Sequence, residues 1–235
     1  MKYKIIKDLK KAIVFLVVIS SIVSCSMDEI YSCDKDINMW VKNNLTEIRQ
    51  MSRADWIAVG NIDQQRAAYR AFTTNQMQAL WIEKMQEVLK LDWSKQERTH
   101  IQSMLDIIRA NGSVFSVERD QAAFDKVEVE LYRWTEHAQE ELGWDKVLLS
   151  AIVGTPQALN ADKTINSNAL TIQSPSVLKN GNEGGGYVCN CSYKSDFCFG
   201  GAFTWCSETN ICETSNLGCG LLWLWECNGM CMTII

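Results

Sequence analysis

Residues 187–235 read YVCNCSYKSDFCFGGAFTWCSETNICETSNLGCGLLWLWECNGMCMTII, and this stretch decides the fold class. It holds eight of the chain's ten cysteines, spaced C-x-C-x6-C-x7-C-x5-C-x6-C-x7-C-x3-C. So short a segment cannot bury enough apolar surface to hold itself together. A disulfide framework among Cys189, Cys191, Cys198, Cys206, Cys212, Cys219, Cys227 and Cys231 makes up the deficit, each bridge contributing about 2–4 kcal/mol. Eight cysteines allow on the order of a hundred pairings, so connectivity stays open. Cys189 and Cys191 face opposite sides if extended, so each is expected to reach a different partner. Zinc sites usually bring cysteines in pairs roughly two to four residues apart. This segment has no C-x2-C and no histidine, so disulfides are expected and metal is not.

The last third of the segment is apolar, with Leu221-Leu222-Trp223-Leu224-Trp225 at its centre. Tryptophan suits a membrane interface, burying its ring and keeping its N–H wet, which makes Trp223 and Trp225 candidate membrane or target contacts. The same rings could equally pack over the disulfides as a small core. Lys194 alone faces Asp196, Glu208, Glu213 and Glu226, for a net charge of −3. That is opposite to a cationic pore-former, so any membrane attraction is hydrophobic or receptor-led.

Working towards the N-terminus, residues 154–186 are polar, hold both prolines and close on Gly184-Gly185-Gly186. Composition and length mark a flexible linker between domains. The glycines are a candidate cleavage site, since unhindered backbone threads a narrow protease cleft, and equally a plain hinge. Residues 36–153 lack proline and read as amphipathic helices. Ile37, Trp40, Val41, Leu45 and Ile48 share one helical face. Thr74-Asn75 offers a cap, and Ser94 with Glu97 forms a capping box. That helix is expected to stop at Asn111-Gly112 in a left-handed turn. A long helix over about Val117 to Leu142 ends at Gly143, and a short one covers Asp145 to Val153. The fold class is therefore an all-α helical bundle, a flexible linker, then a disulfide-rich C-terminal mini-domain with little regular structure.

The helical region shows no catalytic constellation. His100 and His137 are the only histidines, and neither has a second histidine one turn away. A lone histidine gives a metal too few donors, so both are expected at surface or half-buried helix positions. No Gly-rich phosphate loop or nucleophile elbow appears. No catalytic residue, cofactor or metal is expected, and the tryptophans of the region serve as core anchors.

Residues 1–24 combine five lysines with an apolar run over residues 12–24. The run is too short to span a bilayer and reads as a secretory signal. Ile22-Val23-Ser24-Cys25 resembles a bacterial lipobox, which makes Cys25 the lipidation candidate, followed by a tether over residues 25–35. Lipid on Cys25 implies an exported, membrane-anchored protein at the outer membrane or cell surface. Past residue 24 the chain carries a net charge of −9, which argues against nucleic acid as a partner.

Cys189-Asn190-Cys191-Ser192 through Phe197-Cys198, Gly218-Cys219-Gly220, Trp223 and Cys227-Asn228-Gly229 resemble the fulvocin C-related bacteriocins. With the lipoprotein-like leader and helical region, the layout is similar to the Bacteroidetes-type members of that family. The resemblance implies an antibacterial precursor whose C-terminal module acts on the envelope or a receptor of competing bacteria. The module would be released extracellularly after the glycines or act while tethered, with the helical domain masking it as one option. The alternative is a non-enzymatic surface lipoprotein that binds a ligand or another cell through its disulfide-rich head. Cys33 is left over once Cys25 is lipidated and the tail cysteines pair.

Overall fold

In a computed structural model, residues 29–165, 187–198, 204–208 and 212–233 are described. Contacts divide the chain into Met1–Ile30 and Tyr31–Ile235. In the first unit only Glu29 and Ile30 are described, both exposed; Cys25 lies outside the described residues.

The second unit begins with eight α-helices. These are α1 (Lys35–Asn43), α2 (Leu45–Ile48), α3 (Arg53–Ala58), α4 (Ile62–Ala71), α5 (Thr74–Val88), α6 (Lys95–Ala110), α7 (Gln121–Glu140) and α8 (Lys146–Val153). Their starts follow local chemistry: Asp34, Ser52, Asn61, Thr73, Ser94, Asp120 and Asp145 each accept from a backbone N–H of the first turn. The face expected from Ile37 to Ile48 survives with a break at Asn44, and Val41 and Ile48 are both fully buried.

Three boundaries differ from the sequence reading. The α5 cap is Thr73, one residue earlier, in a capping box with Gln76. The long helix runs Gln121–Glu140 because Asp120 is its N-cap. Gly143 does adopt the left-handed conformation just after it, at φ +67°. Asn111-Gly112 does not: Asn111 has φ −122° and Gly112 opens a 3-10 turn, Gly112–Phe115. The end of α6 is met instead by Gln78, whose Nε2 donates to the Ile108 and Arg109 carbonyls. A Cβ on Gly112 would come within 2.6 Å of the Gln78 side chain, which would have to shift from these carbonyls to admit a larger residue.

The stretch read as linker begins inside the helical core. Thr155, Pro156 and Gln157 are buried, and fully buried Lys84 donates from Nζ to the Gln157 carbonyl. Arg53 Nε donates to the Pro156 carbonyl at 2.9 Å, and Gln157 Nε2 to Gln65 Oε1 at 2.6 Å. Leu159 and Ile165 then close an antiparallel bridge. Gly184, Gly185 and Gly186 lie outside the described residues.

The tail is a small strand-containing module. Strands β1 (Tyr187–Val188) and β3 (Cys212–Glu213) pair in parallel. Strands β2 (Thr204–Glu208) and β6 (Gly229–Thr233) are antiparallel, and β4 (Ser215–Cys219) pairs antiparallel with β5 (Trp225–Cys227) around an irregularity. Between β4 and β5, Leu221–Trp223 make a tight turn whose backbone is left-handed at Leu222 and Trp223. The main core runs continuously from the helices into Leu217 and Leu221–Trp225, while Cys189, Cys219, Cys227 and Met230 make a second, small cluster.

Candidate functional site

The tail's chemistry starts with its crosslinks. Cys191 pairs with Cys206, Cys198 with Cys231, and Cys219 with Cys227. Cys189 is also disulfide-bonded, so the two cysteines of the C-x-C do reach different partners. The Cys212 side chain lies outside what is described. Sulfurs of Cys191, Cys198 and Cys231 fall within 4.8 Å of one another, which sets two of the disulfides side by side. Cys206 and Cys231 face each other across β2 and β6. Gly229 makes room there, since a Cβ would sit 2.6 Å from the Cys206 sulfur and 2.7 Å from the Ser207 carbonyl oxygen. Cys33 keeps its thiol, with Sγ 3.9 Å from the Thr214 carbonyl oxygen.

Trp223 and Trp225 do not present their rings to solvent; they are 3% and 7% exposed. Trp223 meets Trp56 at 5.7 Å and Tyr69 at 5.2 Å, both edge-on, the arrangement that aromatic quadrupoles favour. Trp225 meets Phe124 edge-on at 5.4 Å. The rings therefore pack on the helices and not only over the disulfides.

Around these rings, side chains of the helical region reach tail carbonyls. Arg66 Nη2 donates to Asn190 at 3.2 Å, Arg70 Nε to Leu217 at 3.0 Å and Arg119 Nη1 to Leu224 at 2.7 Å. Tyr69 donates its hydroxyl to the Leu222 carbonyl at 3.4 Å. Lys146 Nζ bridges to the Asp196 carboxylate at 2.9 Å and to the Thr204 carbonyl at 3.0 Å. Burial pulls the Arg66 and Arg70 guanidiniums below the usual arginine value, and Arg66 lowers Arg70 further. Burial likewise raises the Tyr69 phenol, so it stays a donor at ordinary pH. Hydrogen bonds from charged donors to buried carbonyls are the stronger kind, worth about 1.5–3 kcal/mol each.

Sequence reasoning missed this seat. Its signal was Arg66, Tyr69 and Arg70 at i, i+3 and i+4, which places three long donors on one side of α4. Ala67, Ala68 and Ala71, all buried, pack the same helix into the core with little hydropathy to announce it.

The histidines sit elsewhere, beside an open cleft of about 560 Å³ lined in part by Lys95, Thr99, His100, Ser103, His137 and Glu141. His137 is exposed, but His100 is buried at 9% exposure, a correction to the surface or half-buried position expected. Its ring stacks with Trp134 at 4.3 Å and with His137 at 4.7 Å. His100 Nε2 donates to the Trp134 carbonyl at 3.0 Å, and Trp134 Nε1 returns a bond to the His100 carbonyl at 2.9 Å. The reciprocal pair locks α6 to α7, which accounts for both histidine placement and tautomer.

No protein-family model, curated protein or solved structure matches this chain.

Proposed function

We propose that the chain is a bacteriocin precursor whose disulfide-stabilised C-terminal module is the active part, held inactive by the helical domain. One observation carries this: the most apolar run of the tail, Leu221–Trp225, is buried in the same core as the helices. A peptide that acts on an envelope through such a run must have it covered until use. The leader and Cys25 support an exported, lipid-anchored precursor, and the resemblance of residues 187–235 to the fulvocin C-related bacteriocins supports the toxic role. Competing bacteria are the target class, through envelope or receptor.

The test introduces a specific protease site within residues 166–186 of the oxidised full chain. Growth of related bacteria is then compared for the intact chain, the cleaved chain and the module separated from it. Inhibition by the separated module, and none by the intact chain, is expected. No inhibition in any form overturns the reading.

A second reading, a surface lipoprotein binding through a rigid head, draws on the buried start of the linker. Thr155–Gln157 and the tail's apolar run both belong to the Tyr31–Ile235 unit. Resistance of residues 166–186 to proteases in the native host, with no killing, would favour it.

A further inference from the structure

We infer that the helical domain is a receptor for the cysteine-rich module that reads the module's backbone, and that it binds the module as a separate chain. The partner is the chain's own residues 187–235 after a cut. The inference goes beyond the bacteriocin reading, because binding does not depend on whether the module kills.

Backbone recognition is visible in the contacts. The carbonyls of Asn190, Leu217, Leu222 and Leu224 accept from Arg66, Arg70, Tyr69 and Arg119, and that of Thr204 from Lys146. A carbonyl is the same whatever side chain its residue bears, so these contacts select a conformation and not a sequence. Trp223 is the chief side chain read, through ring contacts and an N–H donated to the Gly154 carbonyl.

The conformation selected is unusual. Leu222 and Trp223 have φ of +53° and +54°, consecutive non-glycine residues in the left-handed region. There the Cβ crowds the following carbonyl, so L-residues avoid it unless surroundings compensate. The surroundings here belong to the helical region: Tyr69 on the Leu222 carbonyl, Arg119 on the Leu224 carbonyl, and the Trp56–Tyr69 pair around the Trp223 ring. Every contact named is non-covalent, and each of the three described disulfides joins two tail cysteines. A cut between residues 166 and 186 therefore removes none of them.

The experiment uses the oxidised full chain with a protease site inserted within residues 166–186. After cleavage, size exclusion in native buffer is expected to show both fragments co-eluting one to one, separating in denaturant and rejoining on its removal. Arg70→Ala and Arg119→Ala should each raise the dissociation constant about tenfold or more, the loss of one charge-assisted bond to a buried carbonyl. Lys194→Ala, whose partner Glu226 lies within the tail, should leave it unchanged. Fragments that part in native buffer, or rejoin equally tightly with either arginine removed, overturn the inference. Co-elution without killing would instead overturn only the bacteriocin reading.

Discussion

The indole N–H of Trp223 donates to the Gly154 carbonyl at 2.9 Å, tying the apolar run of the tail to the last turn of α8. Gly154 is where the helical region gives way to the polar stretch read as linker, so one bond joins segments that are 69 residues apart. A Cβ at Gly154 would meet the Ser150 backbone oxygen at 2.8 Å and the Phe197 ring at 3.1 Å, so a larger residue there would force the end of α8 or Phe197 to shift.

Trp223→Ala is expected to cost about 3–5 kcal/mol, the usual loss for emptying a large aromatic site. Trp223→Phe should cost less, since it keeps part of the ring contact and forfeits mainly the bond to Gly154. Urea unfolding of the oxidised chain measures both. An alanine variant within 1 kcal/mol of the parent, on the scale of a surface change, would show that Trp223 does not hold the tail in place.

Stability should fall as pH drops from about 6.5 to about 4. Burial pulls His100 down to about 4, with the neighbouring His137 adding to the effect and the Trp134 carbonyl opposing it. Over that window the unfolded histidine takes a proton that the folded one refuses, so the unfolded state gains about 1.4 kcal/mol per unit of separation. Above 6.5 both forms are neutral and the contribution is complete; below 4 the loss levels off. Denaturation midpoints across pH 7 to 4 should show the slope in the parent and lose the His100 share in His100→Gln. A parent and variant with equal slopes would refute the assignment.

The disulfides should differ in worth by loop length. Cys198 and Cys231 are 33 residues apart and Cys219 and Cys227 only 8, so paired serine substitution should cost about 1 kcal/mol more at the first. Gly229→Ala should act on the same sheet by forcing Cys206 and β2 away, so that peptide mapping finds Cys191–Cys206 incompletely formed. Intact mapping in that variant would mean that β2 shifts without strain.

Much was legible before the structure. Helix starts were written in short polar side chains, because a cap is a contact between residues two or three apart. Ser94 with Glu97 and Gly143 behaved as read. The disulfide-rich module followed from cysteine density and from the small core available to 49 residues. Gly112 looked like a left-handed stop and is not one, because Gln78, 34 positions away, already satisfies the carbonyls such a stop would cap.

The sequence by itself determined the two kinds of structure in this protein: helices capped by local bonds, and a tail too small to stand without crosslinks. Only the tertiary structure decided that the Leu-Leu-Trp-Leu-Trp run is buried against α4 and α8 and held by Tyr69 and Arg119. Caps and crosslink density are set by neighbours along the chain. Which surface covers an apolar run depends on partners more than a hundred residues away, as Arg119 is from Leu224 and Tyr69 from Leu222. No local pattern encodes that distance.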